Sequence, residues 1–290
     1  MVMAESLLGS TCGDSKHALA GDNPQGGTVS GLSGSRNSKQ VQSTLFRVIL
    51  SREMSPDSKS YHPSGTGLTT RLVLARHGRV EERYRGKIYG DLDVALSPAG
   101  EEQSRRIASL FRGQTLEAVV SSGLSRADHT ARLLAGAAGL EDRQILCEPR
   151  LRELHRGEWA GLGESEVEQR EPGGWQRWLD SEGMLVPPGG ETHGELAARV
   201  LPALDELAAL HRGGVVAIVA HKWVLRVALA AALGLELERL PRLEVPTSGL
   251  LVLEYSVGEL APPPGQGQRA GGPSCASVRV VGLGLAGLPG

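Results

Sequence analysis

Basic side chains follow directly on two apolar runs of this sequence. Arg76 and His77 come after the run at 72–75, and His221 comes after the run at 215–220. Runs this rich in Val, Leu and Ala are typical of buried strands, and ligand sites of open α/β sheets lie beyond the carboxyl ends of such strands. An imidazole beside a guanidinium suits phosphoryl chemistry, because one can act as a nucleophile and the other can bind an anion. Taken singly, each histidine is more often a structural residue, so both interpretations stay open at this point.

An arginine and a glutamate between these two runs extend the set. Arg126 follows a third predicted strand, the short one at 117–122, and lies near the start of a predicted helix, where backbone N–H groups already favour an anion. Glu153 lies in a non-periodic segment at 151–161 that is charged, aromatic and rich in glycine. Segments of this composition often carry function, although a solvated arginine and a plain surface loop are the alternatives.

Strand and helix patterns alternate through the part of the chain that contains these residues. The predicted strands are 71–76, 117–122, 145–147, 215–220 and 250–253, and the predicted helices are 98–111, 124–138, 191–211 and 222–233, with further helical sequence at 164–180. Such alternation predicts an α/β fold, a three-layer sandwich in which helices flank a largely parallel central sheet. The parallel strands would bring their carboxyl ends, and with them the candidate residues, to one edge.

Composition divides the chain into three parts. Residues 1–68 are rich in Gly, Ser, Asn, Gln and Thr, and such a segment cannot bury enough apolar surface to offset its chain entropy. We predict a disordered extension at 1–68, one domain at 69–257 and a flexible Gly/Pro-rich tail at 258–290. Within that tail, only the final apolar stretch at 278–288 has residues that could pack against the domain.

Charge and cysteine content narrow the classes of function. The formal net charge of the 290 residues is -2, and no dense block of Lys and Arg occurs, which argues against binding to nucleic acid or to a membrane surface. The three cysteines are far apart and odd in number, and they indicate neither a disulfide framework nor a zinc site. No apolar run is long enough to span a membrane, and the first residues lack the features of a signal peptide. We expect a cytoplasmic monomer or homodimer.

Motifs in one particular order resemble the histidine phosphatase superfamily, the phosphoglycerate-mutase-like enzymes. They are Leu-Val-Leu-Ala-Arg-His-Gly at 72–78, Leu-Ser-Pro-Ala-Gly at 96–100, Ser-Ser-Gly-Leu-Ser-Arg-Ala at 121–127, Leu-Arg-Glu at 151–153 with Gly-Glu-Trp at 157–159, Pro-Gly-Gly-Glu at 188–191, and Ala-His at 220–221. None of these motifs is specific by itself, but the occurrence of all of them in this order and spacing over residues 71–255 is specific. The resemblance implies the phosphoglycerate-mutase-like form of the α/β sandwich.

The resemblance also implies a role for each candidate residue. His77 would be the nucleophile that becomes a phosphohistidine, and Arg76, Arg126 and His221 would surround the phosphoryl oxygens. Glu153 would protonate the leaving oxygen and then activate water. This catalytic set requires neither a metal nor another cofactor.

The chain departs from the family pattern around the expected phosphate site. Arg83 stands where most relatives have Asn, and Tyr89 replaces the usual Gln. Lys222 and Trp223 follow the second histidine, where relatives often have glycine, and Lys222 would add positive charge to the pocket. The predicted substrate-binding residues are Arg76, Arg126, His221, Arg83, Tyr89 and Lys222.

The implied activity is that of a metal-independent, histidine acid-type phosphatase acting on a small phosphorylated metabolite. The segment from 153 to 189 is compact, whereas the mutase branch of the family has a longer insert there, so a phosphatase is favoured over a phosphoglycerate mutase. The pattern is similar to α-ribazole phosphatases of cobalamin biosynthesis, which makes α-ribazole 5′-phosphate one candidate substrate. A non-catalytic protein that binds a phosphorylated ligand is the remaining alternative.

Overall fold

A computed structural model of the chain describes residues 68–257 and 275–285. Its strands are β1 (Leu68–Arg76), β2 (Ala118–Ser121), β3 (Ile145–Cys147), β4 (Val215–Ala220), β5 (Gly249–Val257) and β6 (Cys275–Leu285). Its α-helices are α1 (Pro98–Ser109), α2 (Ser125–Ala138), α3 (Glu164–Arg170), α4 (Gly174–Asp180), α5 (His193–Leu210) and α6 (Lys222–Ala232). The predicted extension at 1–68 lies outside the described residues except for Leu68. No helix in the described ranges combines the length and the apolar character that crossing a bilayer requires.

The strands form one mixed sheet in the order β3-β2-β4-β1-β5-β6. β1, β2, β3 and β4 are parallel to one another, whereas β5 runs antiparallel to β1. The prediction of a largely parallel sheet is therefore confirmed. In the pairing of β1 with β4, Arg76 lies opposite Ala220, so these two central strands end at the same level.

Successive side chains of the central strands point to opposite faces of the sheet, so the hydrophobic core has one part on each face. Leu72 and Leu74 pack with apolar residues of α5 and α6 on one face. Val73 and Ala75 pack with residues of α1 and α2 on the other face. All four side chains are fully buried, as expected for a strand that is covered on both faces. The helices thus form the two outer layers of the predicted sandwich.

Two glycines allow α1 to begin against the loop that follows β1. A Cβ atom on Gly78 would lie 2.1 Å from the carbonyl oxygen of Gly100, a distance that no side chain tolerates. Ser97 caps the helix, and its Oγ accepts a hydrogen bond from the Gly100 N–H at 3.1 Å. This contact fixes the backbone immediately after His77.

The tail contains a strand that the sequence analysis did not predict. Cys275–Leu285 pairs antiparallel with β5 along its length, so the prediction of a flexible tail at 258–290 is wrong for this segment. Val278 and Val280 pack against one core face and Val281 against the other. The glycines in this stretch weaken its strand propensity, and the pairing depends on the free edge of β5, which only the assembled sheet provides.

Candidate active site

The histidines that follow β1 and β4 lie side by side. Because Arg76 pairs with Ala220, His77 and His221 are the next residues along two strands in register. Their ring centroids are 5.1 Å apart, and their side chains are 2% and 0% exposed. Parallel pairing therefore places two buried imidazoles at one point of the sheet edge.

The ring of His77 is held in one tautomer. Its Nδ1 lies 2.7 Å from the carbonyl oxygen of Gly78, and its Nε2 accepts a hydrogen bond from Nε of Arg126 at 3.2 Å. Because a carbonyl can only accept and a guanidinium can only donate, the proton of the neutral ring is on Nδ1. The lone pair of the ring is therefore on Nε2, and nucleophilic attack from this nitrogen requires that Nε of Arg126 first releases it.

Arg126 is oriented by backbone carbonyls. Its Nη1 donates to the oxygen of Leu92 at 2.6 Å and its Nη2 to the oxygen of Gly90 at 2.7 Å, and the side chain is completely buried. It lies in the first turn of α2, as predicted. The N–H of Ser125 in that turn already donates to the carboxylate of Asp93 at 2.7 Å. The guanidinium, rather than the helix terminus, is therefore the group that can bind an anion here.

His221 has an unused nitrogen. Its Nε2 lies 2.7 Å from Oγ of Ser122, and that hydroxyl also accepts a hydrogen bond from the N–H of Leu124 at 3.4 Å. The hydroxyl can donate its own proton to Nε2, which leaves the ring proton on Nδ1. Nδ1 is buried and has no hydrogen-bond partner in the part of the chain that the structure describes. An unpaired buried donor is costly unless a ligand satisfies it, so Nδ1 is available to an anionic oxygen.

Glu153 presents one free carboxylate oxygen. Its Oε1 accepts hydrogen bonds from the N–H groups of Leu154, at 2.9 Å, and Trp223, at 3.2 Å. No hydrogen bond from the described residues reaches Oε2, although the side chain is only 7% exposed. Oε2 is therefore the oxygen that can carry a proton to or from a substrate.

Arg199 of α5 anchors the segment that carries Glu153. Its guanidinium donates to the carbonyl oxygens of Arg150 at 2.6 Å, of Arg152 at 2.8 Å and of Glu153 at 3.2 Å. It also forms a bidentate pair with the carboxylate of Glu191, at 2.6 and 2.8 Å. Sequence reasoning did not single out Arg199, because nothing in the sequence reveals an arginine whose partners are backbone carbonyls.

Burial and positive neighbours keep both histidines neutral. Desolvation lowers the pKa of His77 well below 6.5, and the charges of Arg126 and Arg76 lower it further. Desolvation also lowers the pKa of His221 well below 6.5, and the charge of Arg126 is the next cause. Both rings are therefore uncharged at neutral pH, and a nucleophilic imidazole must be in this state.

Three of the other predicted residues border this group. Nη1 of Arg76 donates to the carbonyl oxygen of Val245, while its buried Nε has no partner within residues 68–257 and 275–285. The ring centroid of Tyr89 lies 5.5 Å from Cζ of Arg126. Lys222 is the first residue of α6, directly after the second histidine.

Arg83 is the predicted residue that the structure does not bring to the histidines. Its side chain is 71% exposed and pairs with Glu81 at 2.8 Å, and its guanidinium lies over the ring of Tyr84. The role in substrate binding that the sequence suggested for Arg83 therefore stays a prediction.

A cleft of about 480 Å³ opens beside the glutamate. It borders Glu153, Asp91, His155 and Glu191, but neither of the two clustered histidines. The cleft thus offers room for the part of a ligand that lies beyond the glutamate, rather than for the group that the histidines and arginines would hold. The described residues contain no group of three or more His, Cys, Asp and Glu side chains that could bind a metal.

Comparison with known proteins gives consistent matches. The sequence profile of the histidine phosphatase superfamily (branch 1) matches residues 72–261. Glucosyl-3-phosphoglycerate phosphatase of Mycolicibacterium vanbaalenii is 34% identical over 59% of this chain and 77% of its own. A metal-independent phosphoserine phosphatase of Arabidopsis thaliana is 35% identical over 54% of this chain and 66% of its own. The structure of α-ribazole phosphatase from Shigella flexneri is similar with a TM-score of 0.56 and 25% identity, over 65% of this chain and 91% of that one.

Proposed function

The chain belongs to the histidine phosphatase superfamily (branch 1), and we propose that it hydrolyses a phosphomonoester of a small metabolite through a phosphohistidine on His77. The observation that carries this proposal is the group of buried nitrogens near His77, whose ring lies 5.1 Å from that of His221 and within the field of Arg76. Nδ1 of His221 and Nε of Arg76 are buried nitrogens without a partner among the described residues, and Arg126 donates directly to Nε2 of His77. A phosphoryl group would supply the oxygens that these groups lack.

The geometry supports a reaction in two displacements. Nε2 of His77 attacks phosphorus, the new N–P bond replaces the ester P–O bond, and the leaving oxygen takes a proton from Oε2 of Glu153. The resulting carboxylate then accepts a proton from water as the water oxygen attacks phosphorus. The N–P bond breaks, and inorganic phosphate leaves with the ring neutral again. Arg76 and Arg126 compensate the charge on the phosphoryl oxygens in both steps, so the scheme needs no metal.

The names of the relatives point to two kinds of substrate. Phosphoserine and the phosphoglycerate group both carry a carboxylate close to the phosphate ester, and similarity to the corresponding phosphatases supports a substrate of this kind. Similarity to the Shigella flexneri enzyme supports α-ribazole 5′-phosphate as a second candidate.

Replacing the nucleophile tests the proposal. His77→Ala should lower turnover of p-nitrophenyl phosphate by at least about 10³-fold, since the lone pair of His221, the other imidazole of the set, is engaged by the Ser122 hydroxyl. A rapid acid-labile label from a ³²P-labelled substrate should appear on the native protein and be absent from this variant. His129→Ala is the matched control, because His129 is a partly exposed histidine of α2 that approaches Glu101 at 3.9 Å. Labelling that survives in His77→Ala would refute the assignment.

A further inference from the structure

Trp223, the second residue of α6, is surrounded by cations. Cζ of Arg226 lies 4.6 Å from the indole centroid, Cζ of Arg156 lies 5.2 Å from it, and Nζ of Lys222 lies 5.3 Å from it. An aromatic ring attracts each cation singly. Cations grouped around one ring also repel one another, so a nearby negative charge would stabilise this cluster.

The described residues supply little of that charge at close range. None of the three cations forms an ion pair with a described carboxylate within 4.0 Å. Arg156 and Arg226 donate instead to backbone carbonyl oxygens, and no hydrogen bond from Lys222 to the described residues is present. The carboxylates that act on the cluster from farther away are Glu153, Glu182, Glu191 and Glu244.

The cluster adjoins the phosphoryl site. The N–H of Trp223 donates to Oε1 of Glu153 at 3.2 Å, and Lys222 follows His221 directly. Burial lowers the pKa of Lys222 to about 8, and the charges of Arg226, Arg76 and Arg156 add to this effect. The ammonium group therefore lies within the field of Arg76, an arginine of the phosphoryl site itself.

The members of the cluster differ in accessibility. Arg156 is 3% exposed and Arg226 is 9% exposed, whereas Lys222 is half-buried. A bound molecule can thus touch the lysine, while the two buried arginines contribute only their charge. The phosphoryl dianion of a substrate would be held by the histidines and arginines. The half-buried ammonium beside that site carries one positive charge, so it can balance one further negative charge of the substrate.

We propose that Lys222 binds a carboxylate of the substrate, so that the enzyme selects phosphate esters of carboxylic acids over esters that lack a second anionic group. This inference rests on the proposed function, because it concerns the substrate of that same site. It favours a substrate of the phosphorylated hydroxy acid or amino acid class over α-ribazole 5′-phosphate, which has no carboxylate.

O-Phosphoserine and O-phosphoethanolamine form a matched pair of substrates, because they differ only in the carboxylate. We expect the native enzyme to prefer phosphoserine on the order of 10–100-fold in kcat/KM, the usual scale of one charge-assisted contact. Lys222→Met should remove most of this preference. Turnover of phosphoethanolamine and p-nitrophenyl phosphate by the same variant should fall clearly less than turnover of phosphoserine, because these two esters lose only the field of the ammonium at the phosphoryl group and have no carboxylate for the lysine to bind.

Lys87→Met provides the control. Lys87 is the other lysine among the described residues, and it pairs with Glu166 at 3.1 Å, away from the cluster. This variant should keep the native preference for phosphoserine. A native enzyme without any preference, or a Lys222→Met variant that loses activity equally on all three substrates, would overturn the proposal.

Binding measurements separate this proposal from the proposed function. If the native protein hydrolyses neither these three esters nor α-ribazole 5′-phosphate, the proposed function fails and the subsite is judged by calorimetry alone. Tighter binding of phosphoserine than of phosphoethanolamine, lost in Lys222→Met, would then support the carboxylate subsite. The absence of such a contrast in the native protein would overturn it.

Discussion

Replacing Glu153 with Gln tests the proposed proton donor while leaving its surroundings in place. Oε1 of Glu153 accepts hydrogen bonds from the N–H groups of Leu154 and Trp223, and the amide oxygen of Gln can accept the same two. The amide nitrogen would occupy the position of Oε2, which has no partner among the described residues. The variant therefore removes an acidic proton but keeps the shape and the anchoring of the side chain.

The expected loss depends on the leaving group. General acid catalysis contributes on the order of 10²–10⁴-fold, or about 2.7–5.4 kcal/mol at 1.36 kcal/mol for each factor of ten. We expect a loss of this size when an alkyl phosphate phosphorylates the enzyme, because an alkoxide needs a proton in order to leave. With p-nitrophenyl phosphate the loss should be less than about tenfold, since nitrophenolate is a weak base.

Single-turnover rapid-quench measurements of phosphohistidine formation are the appropriate assay. Attack of water on the phosphohistidine would use Glu153 as a base, and in the steady state this step could conceal the contrast between leaving groups. The first step must therefore be timed separately from the second. Equal losses for both leaving groups would refute the reasoning about Glu153.

Two other carboxylates are rivals for the acid role. Glu158 is exposed in the same segment, so Glu158→Gln is the matched control and should behave like the native enzyme with both substrates. Glu191 forms a bidentate pair with Arg199, and its replacement would disturb the segment that carries Glu153. Leaving-group dependence in Glu158→Gln would transfer the role to Glu158.

The site also predicts how stability depends on pH and how the enzyme responds to chelators. Burial lowers the pKa of His77 and His221 in the folded protein below 6.5. Below pH 6.5 the two histidines therefore bind protons in the unfolded chain but not in the folded protein. The folded state is then destabilised as the pH falls below 6.5, whereas above this pH the two rings are neutral in both states. Each unit by which the pH decreases below 6.5 should lower the free energy of unfolding by about 1.4 kcal/mol for each ring. Denaturant titrations at several pH values should show a smaller decrease for His77→Ala than for the native protein. Equal pH dependence in the two proteins would contradict this prediction. EDTA should leave the rate with p-nitrophenyl phosphate unchanged, because arginines compensate the phosphoryl charge, and a rate that EDTA abolishes and Mg²⁺ or Zn²⁺ restores would contradict the mechanism.

The sequence by itself predicted the central strands and the residues at their ends. The runs before His77 and His221 are continuous and apolar because both faces of the sheet are covered, and this makes buried strands the easiest elements to recognise. The alternation with helices predicted a largely parallel sheet, and parallel strands bring their carboxyl ends to one edge. Arg126 was singled out after a third predicted strand and Glu153 in a charged, glycine-rich segment, and the family resemblance then gave each candidate residue a role, which remains a prediction.

Register and long-range contacts were decided by the tertiary structure. Only the pairing of Arg76 with Ala220 places the two imidazoles side by side, because a shift of one residue would turn each side chain to the other face. The direction of the Arg126 guanidinium depends on carbonyl oxygens at 90 and 92, and carbonyls leave no signature in a sequence. The strand at 275–285 required the edge of β5 as a partner.

The neighbours of the charged residues were likewise determined only by the tertiary structure. Arg83 and Lys222 were both predicted to bind substrate, yet the structure pairs Arg83 with Glu81 and places Lys222 among Arg156, Arg226 and Trp223. The sequence reveals the charge of Lys222 but not its neighbours, because these include residues of distant segments such as Arg76 and Arg156. The energy of a charge depends on its distance to other charges and to water, and the folded chain alone sets those distances.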